Sequence, residues 1–253
     1  MKISLIILLG KKHYSLIDNI IKENKNFDEI IIATNITDKK LVYNLKNKTT
    51  AYKNAKLLYL QTNDFSKMRN LGLSSAKNNW VLYLDADEKL DDELKSVLLK
   101  YRLDNSLAGY RISRQDIFLG KKLNYGETLK QRLIGILRLV NKKVSGKWIG
   151  KVHEIYITSG KTAKLPGKIL HYSHTDITDF LEKINYYSDL RSEELLKRKV
   201  TAVEVFIVPV LKFIYSFFIL LGFLDRAEGF IYSFMMSFHS FLARSKAYAK
   251  QNT

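Results

Sequence analysis

The chain opens on Ile3–Leu9, apolar at every position but Ser4, the pattern of a strand covered on both faces. Residues 14–25 then change period, with Leu16, Ile17, Ile20 and Ile21 recurring at helical spacing. The exchange repeats. Strands are expected at 29–33, 56–60 and 80–84, and helices at 39–46, 65–77 and 90–101. The last two helices carry Met68, Leu71 and Leu73, and Leu90, Leu94, Val97 and Leu98, as their inward stripes. Strand–helix alternation implies an α/β fold with a mostly parallel sheet and right-handed crossovers. In such sheets ligands bind beyond the carboxyl ends of the strands.

The texture changes after residue 108. Shorter, antiparallel strands are expected at 110–113, 134–140, 153–158 and 169–172, punctuated by Gly126, Gly146, Gly150 and Gly160. From Ile177 the pattern is helical almost to the end. Residues 203–224 are mostly apolar, interrupted chiefly by Glu204, Pro209 and Lys212. A polar turn at 225–229 leads into an aromatic helix with Phe230, Phe234, Phe238 and Phe241. A spanning helix needs about 20 apolar residues, and a mid-run lysine costs about 2.5–3.5 kcal/mol. The expectation is therefore a helical hairpin lying in a membrane interface. Lys197, Arg198 and Lys199 on one side, and Arg244, Lys246 and Lys250 on the other, would face anionic headgroups. A hairpin packed on the core or on a second subunit is the competing reading. Ile3–Leu9 is short for a secretory signal and is followed by Lys11 and Lys12, so a buried strand in a cytosol-facing protein is expected.

The 253 residues are 46% apolar and 12% aromatic, enough for a sizeable core. No cysteine is present, which removes disulfides, thiolate metal sites and cysteine nucleophiles. The formal charge of +17 is spread along the chain and comes without a finger, RNA-recognition or helix-turn-helix signature. Anionic lipid and a phosphorylated substrate are the expected partners, and nucleic acid is not.

The candidate chemistry sits at Asp85-Ala86-Asp87-Glu88, where the 80–84 strand ends. Two carboxylates one residue apart at a strand end suit a hard divalent cation, which in turn neutralises a leaving diphosphate. Against this stands the reading of the run as an acidic cap on the following helix.

Phe65, Arg69-Asn70, Ala76 and Trp80-Val81-Leu82-Tyr83-Leu84-Asp85-Ala86-Asp87-Glu88 together resemble the signature of family 2 glycosyltransferases with the GT-A fold. Later motifs in the same order, Arg138-Leu139-Val140, Gly150-Lys151-Val152-His153-Glu154 and His171-Tyr172-Ser173, are similar to the bacterial lipopolysaccharide core β-glucosyltransferase type. The resemblance covers most of the chain. It implies a GT-A Rossmann-like mixed sheet with flanking helices over 1–176, the nucleotide-sugar half at 1–104 and the acceptor half at 105–176. The apolar helical region, 177–253, follows it.

The resemblance also implies roles. Asp85 would contact the ribose and metal, Asp87 would be the main ligand of Mg²⁺ or Mn²⁺, and His171 a late metal ligand. Glu154 would be the general base of a single inverting displacement. Arg69 and Arg138 are suited to the diphosphate or to the acidic loop, with Asn70 beside them. The nucleotide-facing segments differ from the family: Leu8-Leu9-Gly10-Lys11-Lys12 replaces its polar motif, and Thr34-Asn35-Ile36-Thr37-Asp38 lacks the base-reading acid. Asn35 is the candidate to read uracil. The expected partners are a UDP-sugar, a lipid-linked glycan acceptor and the cytoplasmic face of the inner membrane, held peripherally or monotopically. A polyprenyl-phosphate acceptor and a degenerate, non-catalytic GT-A module are the alternatives.

Overall fold

The computed structural model describes residues 2–150, 154–174 and 176–252. In chain order the elements are β1 (Ile3–Leu9), α1 (Ile17–Glu23), β2 (Glu29–Thr34), α2 (Lys39–Thr50), β3 (Ala55–Tyr59), α3 (Phe65–Ser75), β4 (Trp80–Asp85), β5 (Glu88–Leu90) and α4 (Asp92–Lys100). There follow β6 (Gly109–Phe118), β7 (Lys121–Lys122), α5 (Leu129–Leu133), β8 (Ile136–Asn141), β9 (Gly146–Ile149), β10 (Ile155–Thr158) and β11 (Thr162–His174). Helices α6 (Ile177–Leu195), α7 (Ala202–Ile214) and α8 (Arg226–Asn252) complete the chain. Two compact units result: residues to Ser113 with Ile134–Ile169, and Arg114–Leu133 with the chain from Leu170.

The first unit is built on a sheet of order β3-β2-β1-β4-β8-β6-β11-β5. Strands β3, β2, β1 and β4 are mutually parallel, as the alternating pattern predicts. Strand β8 runs antiparallel to both β4 and β6, which makes the sheet mixed. All seven residues of β1 are buried. Ile3, Leu5, Ile7 and Leu9 pack into one apolar core and Ile6 and Leu8 into the other, so each face of the central strand has its own layer. Ser4, the one polar residue, donates its hydroxyl to Glu29 and accepts from the Asn78 backbone and side-chain amides.

Helix α3 starts at Asp64, whose carboxylate accepts from the Lys67 N–H. It lies close on β1 because position 72 is glycine: a Cβ there would meet the Ile6 side chain at 2.8 Å. Helix α4 has its own cap, Asp91, which accepts from the Leu94 N–H, with Asp92 and Glu93 in the first turn. Residues 85–88 therefore lie ahead of that helix and do not cap it.

Strands β6 and β11 run well beyond the expected 110–113 and 169–172, and both continue into the second unit. Arg114, Gln115 and Asp116 break the apolar alternation that would have revealed the extension. Strands β5 and β9 were not expected at all. The anticipated strand at 153–158 is found as β10; His153, with Lys151 and Val152, lies outside the described residues.

The second unit gathers Phe118, Leu123, Phe180, Ile184 and Met235 in one small core and Leu195, Val200, Val205, Ala243 and Ala247 in another. Helices α7 and α8 form the expected hairpin, and α7 runs on through a π turn, Tyr215–Ile219. Residues 202–219 have a mean hydropathy of 2.0, yet only 11% of that stretch is buried. Val203, Phe206, Ile207, Val210, Leu211 and Ile214 are exposed at three- and four-residue spacing, a single outward apolar face. Lys212 falls on the opposite side with buried Val205 and Pro209, and it pairs with Glu127 at 3.3 Å. The lysine that interrupts the apolar run thus belongs to the inward face.

Candidate active site

Four elements of the first unit converge on the carboxyl end of β4. That strand is buried from Trp80 to Leu84 and delivers Asp85 into a partly open position. The turn through Ala86 and Asp87 follows, and β5 begins at Glu88. Glu88 folds back: one oxygen accepts from the Asp85 N–H at 3.0 Å and the other from Arg138 Nη2, also at 3.0 Å. Its side chain is wholly buried. Arg138, on β8, uses Nη2 for Asp85 Oδ2 as well, at 2.8 Å. Burial works against the Arg138 charge, but Asp85, Glu88 and Glu154 outweigh it and hold its pKa above the ordinary arginine value.

Arg69, on α3, is the second hub. Its Nη2 donates to Asp85 Oδ1 at 2.8 Å and its Nε to Glu154 Oε1 at 2.7 Å. The guanidinium is almost fully buried and lies 4.8 Å from the centre of the Trp148 ring and 5.7 Å from that of Tyr83. These rings meet edge to face at 4.9 Å. The geometry is that of a cation held over aromatic faces while its N–H edge serves two carboxylates. Burial raises the Tyr83 pKa well above normal, against the lowering influence of Trp148 and Arg69, which keeps the ring neutral.

Asn70, next on α3, gives its Nδ2 to the Trp148 carbonyl at 2.8 Å and accepts the Trp148 N–H at 2.9 Å. Its amide pairs like a strand neighbour and fixes β9, and with it the ring under Arg69. Asn35 stands just beyond β2 and donates to the Thr62 carbonyl at 2.9 Å. His171 belongs to the second unit, where its Nδ1 pairs with buried Asp116. Sequence reasoning named Arg69, Asp85, Asp87, Arg138 and Glu154. It missed the bracing by Glu88 and the platform role of Trp148. In the sequence Glu88 closes the acidic run and the family signature without a sign of its bracing role; Trp148 carries no signal.

Among the described residues no group of three or more His, Asp or Glu is placed to hold a metal ion alone. The donor set nevertheless fits a hard cation whose remaining ligands come from substrate phosphates and water. Both oxygens of Asp85 face guanidiniums, Oδ1 that of Arg69 and Oδ2 that of Arg138. Three carboxylates, Asp85, Glu88 and Glu154, pair with two guanidiniums, those of Arg69 and Arg138.

Residues 14–156 match the family described as "Glycosyl transferase family 2". An "Uncharacterized glycosyltransferase" of Rickettsia typhi is 27% identical over 259 residues, covering 94% of this chain and 84% of the relative. A "Lipopolysaccharide core biosynthesis glycosyltransferase LpsC" of Rhizobium meliloti is 23% identical over 196 residues, covering 71% of this chain and 70% of the relative. Among solved structures, S. aureus TarS aligns over 100% of this chain and 54% of that one, at 14% identity and a TM-score of 0.43.

Proposed function

The chain belongs to glycosyltransferase family 2 and is a glycosyltransferase; from that premise we propose an inverting transfer from a nucleotide sugar, a UDP-sugar first among the candidates, to a lipid-linked glycan of lipopolysaccharide or lipooligosaccharide core synthesis. One observation carries the reading. A single guanidinium, Arg69, grips Asp85 on one N–H and Glu154 on another. The donor-side carboxylate and the candidate base, 69 residues apart in sequence, are thereby held one guanidinium's width apart.

Glu154 takes the proton from the acceptor hydroxyl as that oxygen attacks the anomeric carbon. The bond from that carbon to the diphosphate oxygen breaks with its electron pair leaving on the diphosphate, and the configuration inverts. Arg69 keeps Glu154 oriented while the acceptor arrives. Asp87, with Asp85, holds Mg²⁺ or Mn²⁺, which supplies charge neutralisation for the leaving diphosphate. Asn35 is assigned to the base of the nucleotide, and His171 remains the candidate for a late metal contact. The acceptor class draws support from the core-biosynthesis name of the Rhizobium relative. Placement on the cytoplasmic face of the inner membrane draws support from the outward apolar side of α7.

The test is a screen of nucleotide-sugar donors with purified protein, reading nucleoside diphosphate release with and without metal. Release should require a divalent cation and fall at least about a hundredfold in Asp87→Ala. Full turnover by Asp87→Ala, or no turnover with any donor, would sink the metal-site reading. Separately, loss of vesicle binding in Phe206→Ser checks the membrane placement.

A further inference from the structure

Beside the outward face of α7 the second unit holds an open pocket of about 420 Å³ between α6, α7 and α8. Its polar lining includes Arg191, Lys212, His239 and Arg244, and its apolar wall includes Leu211 and Tyr215. Among the described residues no carboxylate lines it. Two of the cations are partly compensated from outside: Lys212 by Glu127 at 3.3 Å and Arg191 by Glu194 one turn on. Arg244 is different. Its Nη1 donates to Ser240, to Oγ at 2.6 Å and the carbonyl at 3.2 Å, while its buried Nε has no hydrogen-bond partner among the described residues. Burial, together with nearby Arg198 and Arg191, lowers the Arg244 pKa against the pull of Glu204. A buried guanidinium N–H without an acceptor is costly, so Arg244 is held less completely than the two paired cations.

We propose that this pocket binds the phosphate of an anionic bilayer phospholipid, whose headgroup, unlike that of phosphatidylcholine, brings no quaternary ammonium against the pocket's cations, and whose acyl chains lie along the exposed apolar face of α7. Charge and shape select this occupant. The phosphate answers the cation surplus, and the chains cover Ile207, Leu211 and Ile214 beside the pocket, which a free anion or an acidic soluble partner would leave in water. The pocket then adds lipid selectivity to a surface that otherwise inserts by its hydrophobicity alone. This inference rests on the membrane placement proposed above.

The experiment is co-sedimentation of the full chain with phosphatidylcholine vesicles and with the same vesicles doped with phosphatidylglycerol, at fixed ionic strength. Wild type should prefer the doped vesicles. Arg244→Gln should lose about tenfold of its binding to them while keeping its binding to neutral vesicles. Lys46→Gln, which removes the same charge from exposed α2, should change binding less than about twofold. Equal losses in the two variants would show diffuse electrostatics and overturn the pocket, as would a wild type without preference; either leaves the membrane placement standing. Failure to bind any vesicle would sink the membrane placement and the pocket with it. Displacement by inorganic phosphate at matched ionic strength would make the occupant free phosphate and overturn the lipid assignment. If circular dichroism shows Arg244→Gln to be unfolded, Arg191→Gln on the opposite wall is read by the same criteria.

Discussion

A fully buried carboxylate such as Glu88 persists in this fold because both its oxygens are answered, one by Arg138 and one by the Asp85 N–H. Removing the cation leaves that charge stranded in a dry environment. Arg138→Met should therefore lose roughly 3–5 kcal/mol of stability. Adding Glu88→Gln should return part of it, and urea unfolding of the two single variants and the double variant measures the coupling. Additive losses would mean that Arg138 supports the fold by packing alone. Glu154 sits differently, on the rim of the same network and tied only to Arg69 in the described contacts. Its replacement by Gln keeps the hydrogen bond and removes the base. For Glu154→Gln, kcat should fall about 10²–10⁴-fold with nucleoside diphosphate affinity nearly unchanged, read by turnover and calorimetry. Undiminished kcat would exclude Glu154 as the base. Much of this site was legible in the sequence, since Asp85 and Asp87 follow an apolar strand and Glu154 stands in a recognisable motif. What the residues do to one another was not. Arg69, Asp85, Arg138 and Glu154 come from separate places in the chain, and only the sheet order brings them together.

At the scale of elements the same contrast recurs. Strands β1, β2 and β4 announced themselves because both of their faces are buried, which makes the apolar run continuous. Strands β5 and β9 are three and four residues long and carry an exposed lysine each, so no period develops in them. The α7–α8 connection was legible only as a polar turn, and its geometry is unusual. Arg226 has φ 58° and ψ −134°, a region that essentially only glycine occupies without strain. Asp225 just before it accepts from the Asn124 and Tyr125 N–H groups at 2.7 and 2.8 Å, which fixes the turn from the other side. Gly229 is indispensable in the same corner, since a Cβ there would fall 2.0 Å from the Gly222 carbonyl oxygen. Arg226→Gly should consequently raise stability by about 1 kcal/mol or more, whereas Gly229→Ala should lower it. Thermal unfolding of both variants decides; a destabilised Arg226→Gly would mean that the arginine side chain outweighs the backbone strain.

The whole molecule carries +17 at neutral pH, from 42 Lys and Arg against 25 Asp and Glu, so acid acts on it in two ways. Neutralising carboxylates raises an already large positive charge and with it the self-repulsion of the compact state. It also removes specific native contacts. Glu29 is the clearest case: burial pushes its pKa up, but Lys56, the Ser4 hydroxyl and the Lys77 N–H outweigh it and leave the folded value below normal. Those contacts join β1, β2, β3 and the approach to β4. A depressed folded pKa contributes stability that is complete above the unfolded value, near 4.5, and disappears as pH falls through the folded one. The urea midpoint should thus decline as pH drops below about 4.5. Salt separates the two causes. Raising it to about 1 M contracts the screening length to about 3 Å and relieves the diffuse repulsion, while contacts inside the sheet are screened far less. The stability gap between wild type and Glu29→Gln should therefore narrow as pH falls, in high salt as in low. A gap that stays constant with pH would show that Glu29 holds its partners no better as a carboxylate than as a neutral group. The acid sensitivity would then belong to the net charge alone.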